Sequence, residues 1–454
     1  MVDKKKRTKL FGTDGIRGKA NHYPMTGEIA FEVGRAAAYV LRKTNGRNKI
    51  LIGKDTRLSG YMLESALTSG ICSMGTSVVL VGPMPTPGIA FATRSLRVDA
   101  GVVISASHNP YDDNGIKFFS ADGYKLPDST ESEIEKTMFT ETLENIRPEG
   151  AGIGKAYRVD DASGRYIEYV KSTFPKGRTL EGMKIVIDCS NGSAYKITPV
   201  VLTELGADVI AINSKPDGIN INANCGATHP EAMQKAVLEY KADIGIAHDG
   251  DADRTIICDE RGEIVDGDKI MAMCALDMKK DGKLKGDTVV ATVMSNLGFE
   301  LFLKRAGIKV IRTKVGDRYV VEEMIKRGCN LGGEQSGHII FLDHNTTGDG
   351  PVTALQVLSI MCRRGKSLSN LASSIPIYPQ VLINVPIRRH KSIDDYPNIH
   401  TAVKKAEKKL TSGRILVRPS GTEPKVRVMV EGDNMDEITT IAEEIAEVIK
   451  SNMK

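Results

Sequence analysis

Short apolar runs and longer amphipathic segments alternate along most of the chain. Runs rich in Val and Ile predict buried strands, and the amphipathic segments predict helices because their apolar positions recur three and four residues apart. The predicted strands lie at 49–52, 77–81, 101–104, 184–187, 208–212, 244–247, 288–293 and 309–311. The predicted helices include 28–42, 194–205, 297–306 and 318–327. Repeated alternation of strands and helices is typical of an α/β fold.

The C-terminal part of the chain has a different pattern. A strand and a helix at 394–410 precede GRILVRPSGTEPKVRVMVEG, which predicts two strands joined by a loop, and a closing helix follows at 435–449. Glycine-rich, acidic or proline-containing breaks lie near 147–154, 259–262 and 374–379. They divide the chain into four expected domains at 1–154, 155–257, 258–374 and 375–454. We therefore expect three mixed α/β domains and a smaller C-terminal α+β domain.

Composition narrows the classes of function. No run of about 18 uncharged apolar residues occurs, and no apolar segment follows the basic stretch at 4–7, so we expect a cytoplasmic protein without a membrane span or secretory signal. The net charge of +5 is mild and aromatic residues make up 5%, which disfavours a nucleic-acid surface. The seven cysteines are scattered singly, as is typical of reduced core thiols. A small anionic ligand suits this chain better.

The stretch SASHNP, at 105–110, follows a predicted buried strand. Ligands of open α/β sheets bind beyond the carboxyl ends of strands, so Ser107 is a candidate nucleophile that faces a crevice. Adjacent residues of an extended segment point opposite ways, which disfavours a pair between Ser107 and His108. The stretch also lacks the G-x-S-x-G elbow of many serine hydrolases. The residues alone leave open a plain turn that ends at Pro110.

The stretch HDGDADRT, at 248–255, also follows an apolar strand. In an extended loop, Asp249, Asp251 and Asp253 project to one side because they are two residues apart. Carboxylates that converge in this way need a cation, and ligation by oxygen atoms alone favours Mg²⁺. The alternative is a solvated acidic turn, but a metal site accounts better for three alternating Asp after a buried strand.

The stretch GGEQSGH, at 332–338, places polar side chains between glycines. Glycine lets the backbone approach a ligand, and Glu334 and Ser336 offer hydrogen bonds suited to sugar hydroxyls. His338 is a candidate general acid or base because the imidazole pKa lies near neutrality. A lone histidine is more often structural, and the residues alone do not exclude that role.

The stretch RPSGTEP, at 418–424, combines hydroxyl groups with a glycine turn. Arg418 begins it and Arg427 lies just beyond it, so two guanidinium groups accompany the free backbone N–H groups around Gly421. Such a combination is typical of a phosphate clamp. A plain hairpin loop does not need both arginines, although surface arginines are common.

Five segments resemble, in order, the hallmark segments of the α-D-phosphohexomutase superfamily. They span nearly the whole chain: FGTDGIRG (11–18), SASHNP with DNGIKFF (105–119), DGDADR (249–254), GEQSGH (333–338) and RPSGTEP (418–424). The resemblance implies three mixed α/β domains around a central cleft and a smaller C-terminal α+β domain that acts as a lid.

The resemblance also implies roles for individual residues. Ser107 matches the family's phosphoserine, whose oxygen completes a Mg²⁺ site, with one ion per subunit, formed with Asp249, Asp251 and Asp253. Lys117 and His338 are alternative general bases. Arg17 and Arg254 match electrostatic partners of the phosphoryl group. The positions that match substrate-binding residues are His108, Glu334, Ser336, Arg418, Ser420, Gly421, Thr422 and Arg427.

The implied reaction is isomerisation of a sugar monophosphate through a bisphosphate. GEQSGH and FGTDGIRG are similar to the branch that interconverts glucosamine 6-phosphate and glucosamine 1-phosphate, with glucosamine 1,6-bisphosphate as intermediate and activator. We expect phosphorylation of Ser107 to activate the enzyme, and its product to feed UDP-N-acetylglucosamine synthesis. The alternatives are a glucose or mannose phosphate substrate, a Mg²⁺-dependent phosphohydrolase and a non-catalytic phosphosugar-binding regulator. The sequence leaves the oligomeric state open, and a homodimer is compatible with it.

Overall fold

The computed structural model of the chain describes residues 9–12, 14–42, 48–138, 140–387, 395–419 and 425–453. These residues belong to two compact units. The first unit comprises the described residues up to 294 together with 308–373, and the second comprises those of 295–307 and 374–454. Among the described residues, no helix combines the length and the apolar character that a membrane crossing requires.

The first sheet has six strands in the order β1-β5-β4-β2-β3-β6. β2 pairs in parallel with β3 and β4, whereas β5 pairs antiparallel with β1 and β4. The strands are β1 (Ile16–Lys19), β2 (Lys49–Lys54), β3 (Ser77–Pro83), β4 (Ala100–Ile104), β5 (Asp113–Ser120) and β6 (Ala156–Arg158). The helices are α1 (Gly27–Val40), α2 (Ser59–Ser73), α3 (Thr86–Ser95) and α4 (Asp128–Met138). Glycine allows α1 and α2 to pack closely, because a Cβ at Gly70 would lie 2.2 Å from the Phe31 carbonyl oxygen.

The second sheet has five strands in the order β11-β10-β9-β7-β8. β7 pairs in parallel with β8 and β9, and β10 forms an antiparallel hairpin with β9. The strands are β7 (Lys184–Asp188), β8 (Asp208–Ile212), β9 (Ile244–His248), β10 (Thr255–Asp259) and β11 (Ile264–Val265). The helices are α5 (Ala162–Ser172), α6 (Ile197–Glu204) and α7 (Glu231–Tyr240).

The third sheet completes the first unit with four strands in the order β13-β12-β14-β15. The strands are β12 (Thr288–Thr292), β13 (Lys309–Thr313), β14 (Leu331–Gly333) and β15 (Ile339–Phe341). The helices are α8 (Gly267–Lys280), α10 (Asp317–Arg327), α11 (Gly350–Arg364) and α12 (Leu368–Ala372). The intervening helix α9 (Leu297–Arg305) belongs to the second unit.

The second unit contains an antiparallel sheet of three strands in the order β16-β18-β17. The strands are β16 (Gln380–Pro386), β17 (Gly413–Pro419) and β18 (Lys425–Gly432), and the helices besides α9 are α13 (Pro397–Lys409) and α14 (Met435–Met453). Val426, Val428 and Val430 alternate along one face of β18 and pack on the apolar stripe of α14, which includes Ile438 and Ile445. This is the predicted α+β part of the chain.

The predicted fold class is confirmed, and each predicted strand is present. The expected domain division after residue 154 precedes β6, which pairs with β3 of the first sheet. The division after residue 257 falls within β10, and the second sheet continues through β11. We therefore propose that the first boundary follows Arg158 and the second follows Val265.

A buried hydrogen-bonded junction joins segments associated with the three sheets of the first unit. The Tyr166 hydroxyl on α5 donates to Asp349 Oδ2 at 2.8 Å, and Asn345 Nδ2 donates to the same oxygen at 2.8 Å. Arg94 on α3 donates to Asn345 Oδ1 at 3.1 Å. Burial raises the pKa of Asp349 to about 6, although these hydrogen bonds oppose the rise. The buried Asp349 carboxyl is therefore stabilised by the hydrogen bonds that Tyr166 and Asn345 donate to it.

We predict that Tyr166→Phe lowers the free energy of unfolding by about 1–3 kcal/mol, because it removes a hydroxyl that serves a buried carboxyl. The measurement is the midpoint of the first thermal unfolding transition, compared with that of the parent protein. Tyr157→Phe is the matched control because Tyr157 is exposed. Equal midpoints for the Tyr166 variant and the parent would contradict the prediction.

Candidate active site

Ser107 lies in the loop that follows β4, and its conformation is fixed by the local backbone. Its φ angle is +52°, in the left-handed region. Its backbone N–H donates to Ser105 Oγ at 2.9 Å, and its side chain is almost wholly buried. Its hydroxyl donates to Asp249 Oδ2 at 2.6 Å. Ser107 therefore lies beside Asp249, as the family resemblance implied.

Arg57, which sequence reasoning missed, binds the backbone of the Ser107 loop. This fully buried guanidinium donates to the carbonyl oxygens of Ser107 at 2.9 Å and Asn109 at 2.8 Å, and to Asp55 Oδ2 at 2.8 Å. Asn222, from the second domain, donates to the same two carbonyl oxygens. The loop is therefore bound by side chains from two domains. Its sequence signal was the polar run KDTR that ends and follows β2.

The expected separation of the Ser107 and His108 side chains was wrong. The Ser107 hydroxyl lies 3.2 Å from His108 Nδ1, within hydrogen-bonding distance. The reason is the left-handed conformation of Ser107, since opposite projection holds only on an extended segment. Burial, followed by the nearby cations of Arg254 and Arg17, lowers the pKa of His108 to about 4. Its imidazole is therefore neutral near pH 7.

The three aspartates converge as predicted, but a turn brings them together and not an extended loop. They lie between β9 and β10 in a turn that contains Ala252 at a φ of +54°. All three side chains are buried, and one oxygen from each of Asp249, Asp251 and Asp253 lies within 4.8 Å of the others. Thr86 Oγ1 donates to Asp251 Oδ2 at 2.7 Å, which helps to orient that carboxylate.

The donor set of this cluster fits a hard divalent cation. Asp251 Oδ1 and Asp253 Oδ1 are buried and accept no hydrogen bond from the described residues. Burial, and then repulsion from Asp253 and Asp251, raises the pKa of Asp249 well above its usual value. Buried carboxylates at such separation favour protonation or a metal ion, and oxygen ligands alone suit Mg²⁺.

Cationic side chains surround the cluster. Lys117 is buried, and its Nζ lies 3.2 Å from Asp251 Oδ2 and 3.2 Å from Asp14 Oδ2. Burial alone would lower the pKa of Lys117, but these carboxylates outweigh it and raise the pKa. Arg254 Nε lies 3.8 Å from Asp253 Oδ1, and Arg17 pairs with Asp14. Lys117 and Arg254 therefore lie beside predicted metal ligands, and Arg17 lies beside Asp14, which contacts Lys117.

His338 approaches the cluster at a different carboxylate. Its Nδ1 lies 3.6 Å from Asp253 Oδ2, and its Nε2 lies 3.5 Å from Asp317 Oδ2. Burial would lower the pKa of His338, but Asp253 and Asp317 outweigh it and raise the pKa. The backbone N–H of Gly348 approaches Nε2 at 3.1 Å. Nε2 therefore accepts a hydrogen bond from the backbone, and the contacts with Asp253 and Asp317 are electrostatic.

The GEQSGH segment is a tight turn between β14 and β15. Glu334 is half-buried and its Oε1 accepts from the Gly316 N–H at 3.2 Å, whereas Ser336 is exposed. Gln335 Nε2 donates to Asp266 Oδ2 at 3.1 Å, at the start of α8. The Gln335 side chain therefore connects the loop to the start of α8. Glu334 and Ser336 are polar groups at the surface of the loop.

The predicted phosphate clamp lies in the second unit. Arg418 on β17 and Arg427 on β18 are directly opposed across the antiparallel pair, so their half-buried side chains share one face of the sheet. The remaining predicted members, Ser420, Gly421 and Thr422, lie outside the described residues.

Sequence reasoning also missed three charged residues that connect Lys117 with His338. Lys125 pairs with Asp14 and with Asp317, and its Nζ lies 2.6 Å from Asp317 Oδ2. Asp14 stands within the FGTDGIRG segment, which could have marked it. Lys125 and Asp317 carry no such signal, because they lie far apart in the chain.

Comparison with known proteins agrees with this architecture. Family models described as phosphoglucomutase/phosphomannomutase α/β/α domains I, II and III and C-terminal domain match residues 8–145, 164–262, 266–378 and 382–448. The chain is 60% identical over 449 residues to a phosphoglucosamine mutase of Syntrophotalea carbinolica, covering 98% of each chain. It is 56% identical over 442 residues to that of Myxococcus xanthus, covering 97% of this chain and 96% of the other.

Solved structures share the fold at low sequence identity. A phosphoglucomutase/phosphomannomutase family protein from Burkholderia thailandensis has a TM-score of 0.81 at 24% identity, covering 98% of each chain. The N-acetylphosphoglucosamine mutase of Aspergillus fumigatus, solved with GlcNAc-6P and magnesium, has a TM-score of 0.70 at 18% identity, covering 98% of this chain and 96% of that one. The fold and the relatives support an isomerase with phosphotransferase chemistry. The chain belongs to the phosphoglucomutase/phosphomannomutase family, within the α-D-phosphohexomutase superfamily.

Proposed function

We propose that the protein interconverts glucosamine 6-phosphate and glucosamine 1-phosphate through a phosphoserine at Ser107 and a glucosamine 1,6-bisphosphate intermediate. The observation that carries the mechanism is the buried Ser107 hydroxyl, which lies 2.6 Å from one of three converging carboxylates. The choice of sugar is supported by relatives that are 56–60% identical over nearly the whole chain and are phosphoglucosamine mutases.

In the first half-reaction, a hydroxyl oxygen of the sugar attacks the phosphorus on Ser107. A new P–O bond forms to the sugar and the P–O bond to Ser107 Oγ breaks. The attacking hydroxyl loses its proton to a general base, and Ser107 Oγ takes up a proton as it leaves. The bisphosphate then reverses its orientation, and Ser107 Oγ takes the phosphoryl group from the other end. Catalysis of this kind depends on positioning and on charge neutralisation more than on new covalent chemistry.

The chain supplies that positioning through residues on fixed elements. Arg57 and Asn222 fix the backbone of the Ser107 loop, so the nucleophilic oxygen needs little reorganisation. Lys117 and Arg254 carry positive charge beside the carboxylates and are proposed to stabilise the equatorial phosphoryl oxygens. A bound Mg²⁺, one per subunit, would neutralise Asp249, Asp251, Asp253 and the phosphoryl group.

Proton transfer is assigned to one of two nitrogen-bearing side chains. Lys117 contacts Asp251 and His338 lies beside Asp253, so each lies near a proposed metal ligand. A general base must lie within hydrogen-bonding reach of the hydroxyl that it deprotonates. We propose that one of these two groups accepts the proton from the attacking hydroxyl and returns it in the reverse step.

Binding of the remaining parts of the substrate is assigned to the other predicted residues. We propose that the non-transferring phosphate is bound by Arg418, Ser420, Gly421, Thr422 and Arg427. We propose that the sugar is contacted by His108, Glu334 and Ser336, and that Arg17 acts as an electrostatic partner of the phosphoryl group. The bisphosphate would also act as activator by restoring the phosphoryl group to Ser107.

The cellular setting is a further part of the proposal. We propose that phosphorylation of Ser107 activates the enzyme in the cytoplasm and that its product feeds UDP-N-acetylglucosamine synthesis.

We predict that Ser107→Ala lowers mutase turnover by about 10³-fold or more while the fold is retained, because only the nucleophilic oxygen is lost. The measurements are steady-state turnover and intact mass, in which the parent carries an adduct of ~80 Da. Ser65→Ala is the control, since it removes an exposed hydroxyl that bonds within α2 and should keep both turnover and the adduct. Substantial turnover by the Ser107 variant would exclude the phosphoserine mechanism.

We predict that removal of divalent ions by a chelator abolishes turnover and that added Mg²⁺ restores it, because three buried carboxylates and a phosphoryl group need neutralisation. Elemental analysis confirms that the metal is absent, and circular dichroism confirms that the protein remains folded. Full turnover by metal-free protein would show that the cluster has another role.

The test of the proposed function itself is a comparison of substrates. We predict that kcat/KM for glucosamine 6-phosphate exceeds that for glucose 6-phosphate and mannose 6-phosphate by about tenfold or more, a difference in transition-state binding of about 1.4 kcal/mol. An equal or higher kcat/KM for either neutral sugar would assign the enzyme to another branch. Release of inorganic phosphate without isomer formation would indicate a phosphohydrolase instead.

A further inference from the structure

Lys125 occupies the centre of a buried chain of charges. It lies between β5 and α4, and its side chain is only 12% exposed. Its Nζ lies 2.6 Å from Asp317 Oδ2, and it also pairs with Asp14 Oδ1. Each carboxylate also contacts a second side chain. Asp14 Oδ2 lies 3.2 Å from Lys117 Nζ, and Asp317 Oδ2 lies 3.5 Å from His338 Nε2.

We propose that Lys125 is a positioning residue, which holds Asp14 against Lys117 and Asp317 against His338 and thereby fixes both candidate proton-transfer groups. This inference rests on the proposed mutase function and deepens it. Lys125 would act without touching the substrate, because its ammonium group is directed to the two carboxylates.

Electrostatics explains why a cation is needed at this position. Asp14 and Asp317 are largely buried, and both approach the same ammonium group, so without it two negative charges would face each other with little solvent. Burial alone would lower the pKa of Lys125, but Asp14 and Asp317 outweigh it and raise the pKa, which keeps the side chain charged. Removal of the charge would leave Asp14 with Arg17 and Lys117 as its cationic partners and would free Asp317 to turn away from His338.

The same contacts connect two domains. Asp14 precedes β1 and Lys125 follows β5 of the first sheet, whereas Asp317 is the first residue of α10 beside the third sheet. Lys117 is on β5, and His338 follows β14. Lys125 therefore sets the position of one candidate proton-transfer group relative to the other across this interface.

The next residue of α10 offers a matched control. Arg318 donates to Glu131 Oε2 at 3.0 Å and also pairs with Asp128, both on α4. This ion pair joins the same two domains, but neither acidic partner is a partner of Lys117 or His338 in the charge chain. Loss of Arg318 should therefore weaken the interface without disturbing the proton-transfer groups.

The experiment compares Lys125→Met with Arg318→Met in the full-length, metal-loaded enzyme. We expect Lys125→Met to lower kcat by about tenfold or more with KM changed by less than about threefold, since positioning and not binding is lost. Arg318→Met should keep kcat within about threefold of the parent. Thermal unfolding of both variants measures the shared structural cost.

Three outcomes would overturn the inference: a kcat for Lys125→Met within threefold of the parent, an equal loss in Arg318→Met, or a loss that appears mainly in KM. If Lys125→Met does not fold, Asp317→Asn takes its place under the same limits, because it removes the same ion pair with a side chain of similar size. All ratios use whichever hexose phosphate the parent isomerises. Failure of the amino-sugar assignment would therefore leave this test intact, and a parent that isomerises none would contradict the proposed function first.

Discussion

Repulsion among Asp249, Asp251 and Asp253 is the constraint on which the rest of the reacting centre depends. Their oxygens lie within 4.8 Å of one another in a buried turn, a separation at which two unit charges repel by roughly 3 kcal/mol at an effective dielectric constant of about 20. Such a cluster is stable only beside compensating positive charge. The buried cations around the cluster therefore stabilise the three carboxylates.

Each buried charge that compensates another needs a partner of its own. Lys117 neutralises Asp251 but is itself buried, and Asp14 occupies its other side. Asp14 in turn is balanced by Arg17 and Lys125. The result is a continuous charge chain that begins at the three aspartates and extends into the interface between the first and third domains, because a desolvated ion without a partner is costly.

The sequence predicted those features that depend on local pattern. Runs of Val and Ile marked the strands correctly because a strand buried on both faces needs apolar residues throughout. Three aspartates at alternate positions marked the cluster, although the turn that gathers them was not visible, because the left-handed conformation of Ala252 has no signal in its residue type. The same limitation explains the error over Ser107 and His108.

Features that join distant segments could not be predicted from the sequence. Lys125 and Asp317 are brought together only when the first and third sheets pack, and no spacing between them is diagnostic. The changes that we propose to the domain limits have the same origin. The break at 259–262 that suggested a boundary follows β10, but β11 beyond it pairs with β10 and so extends the second sheet.

Because side chains of two domains bind the Ser107 loop, the state of this loop is coupled to the contact between those domains. The carbonyl oxygens of Ser107 and Asn109 each accept from Arg57 of the first domain and from Asn222 of the second. Under the proposed mechanism, charge added to the Ser107 hydroxyl would therefore lie beside an interface between two domains. By thermodynamic linkage, a phosphoryl group that changed these hydrogen bonds would also change the free energy of association of the two domains, and a change in their association would alter the phosphorylated loop.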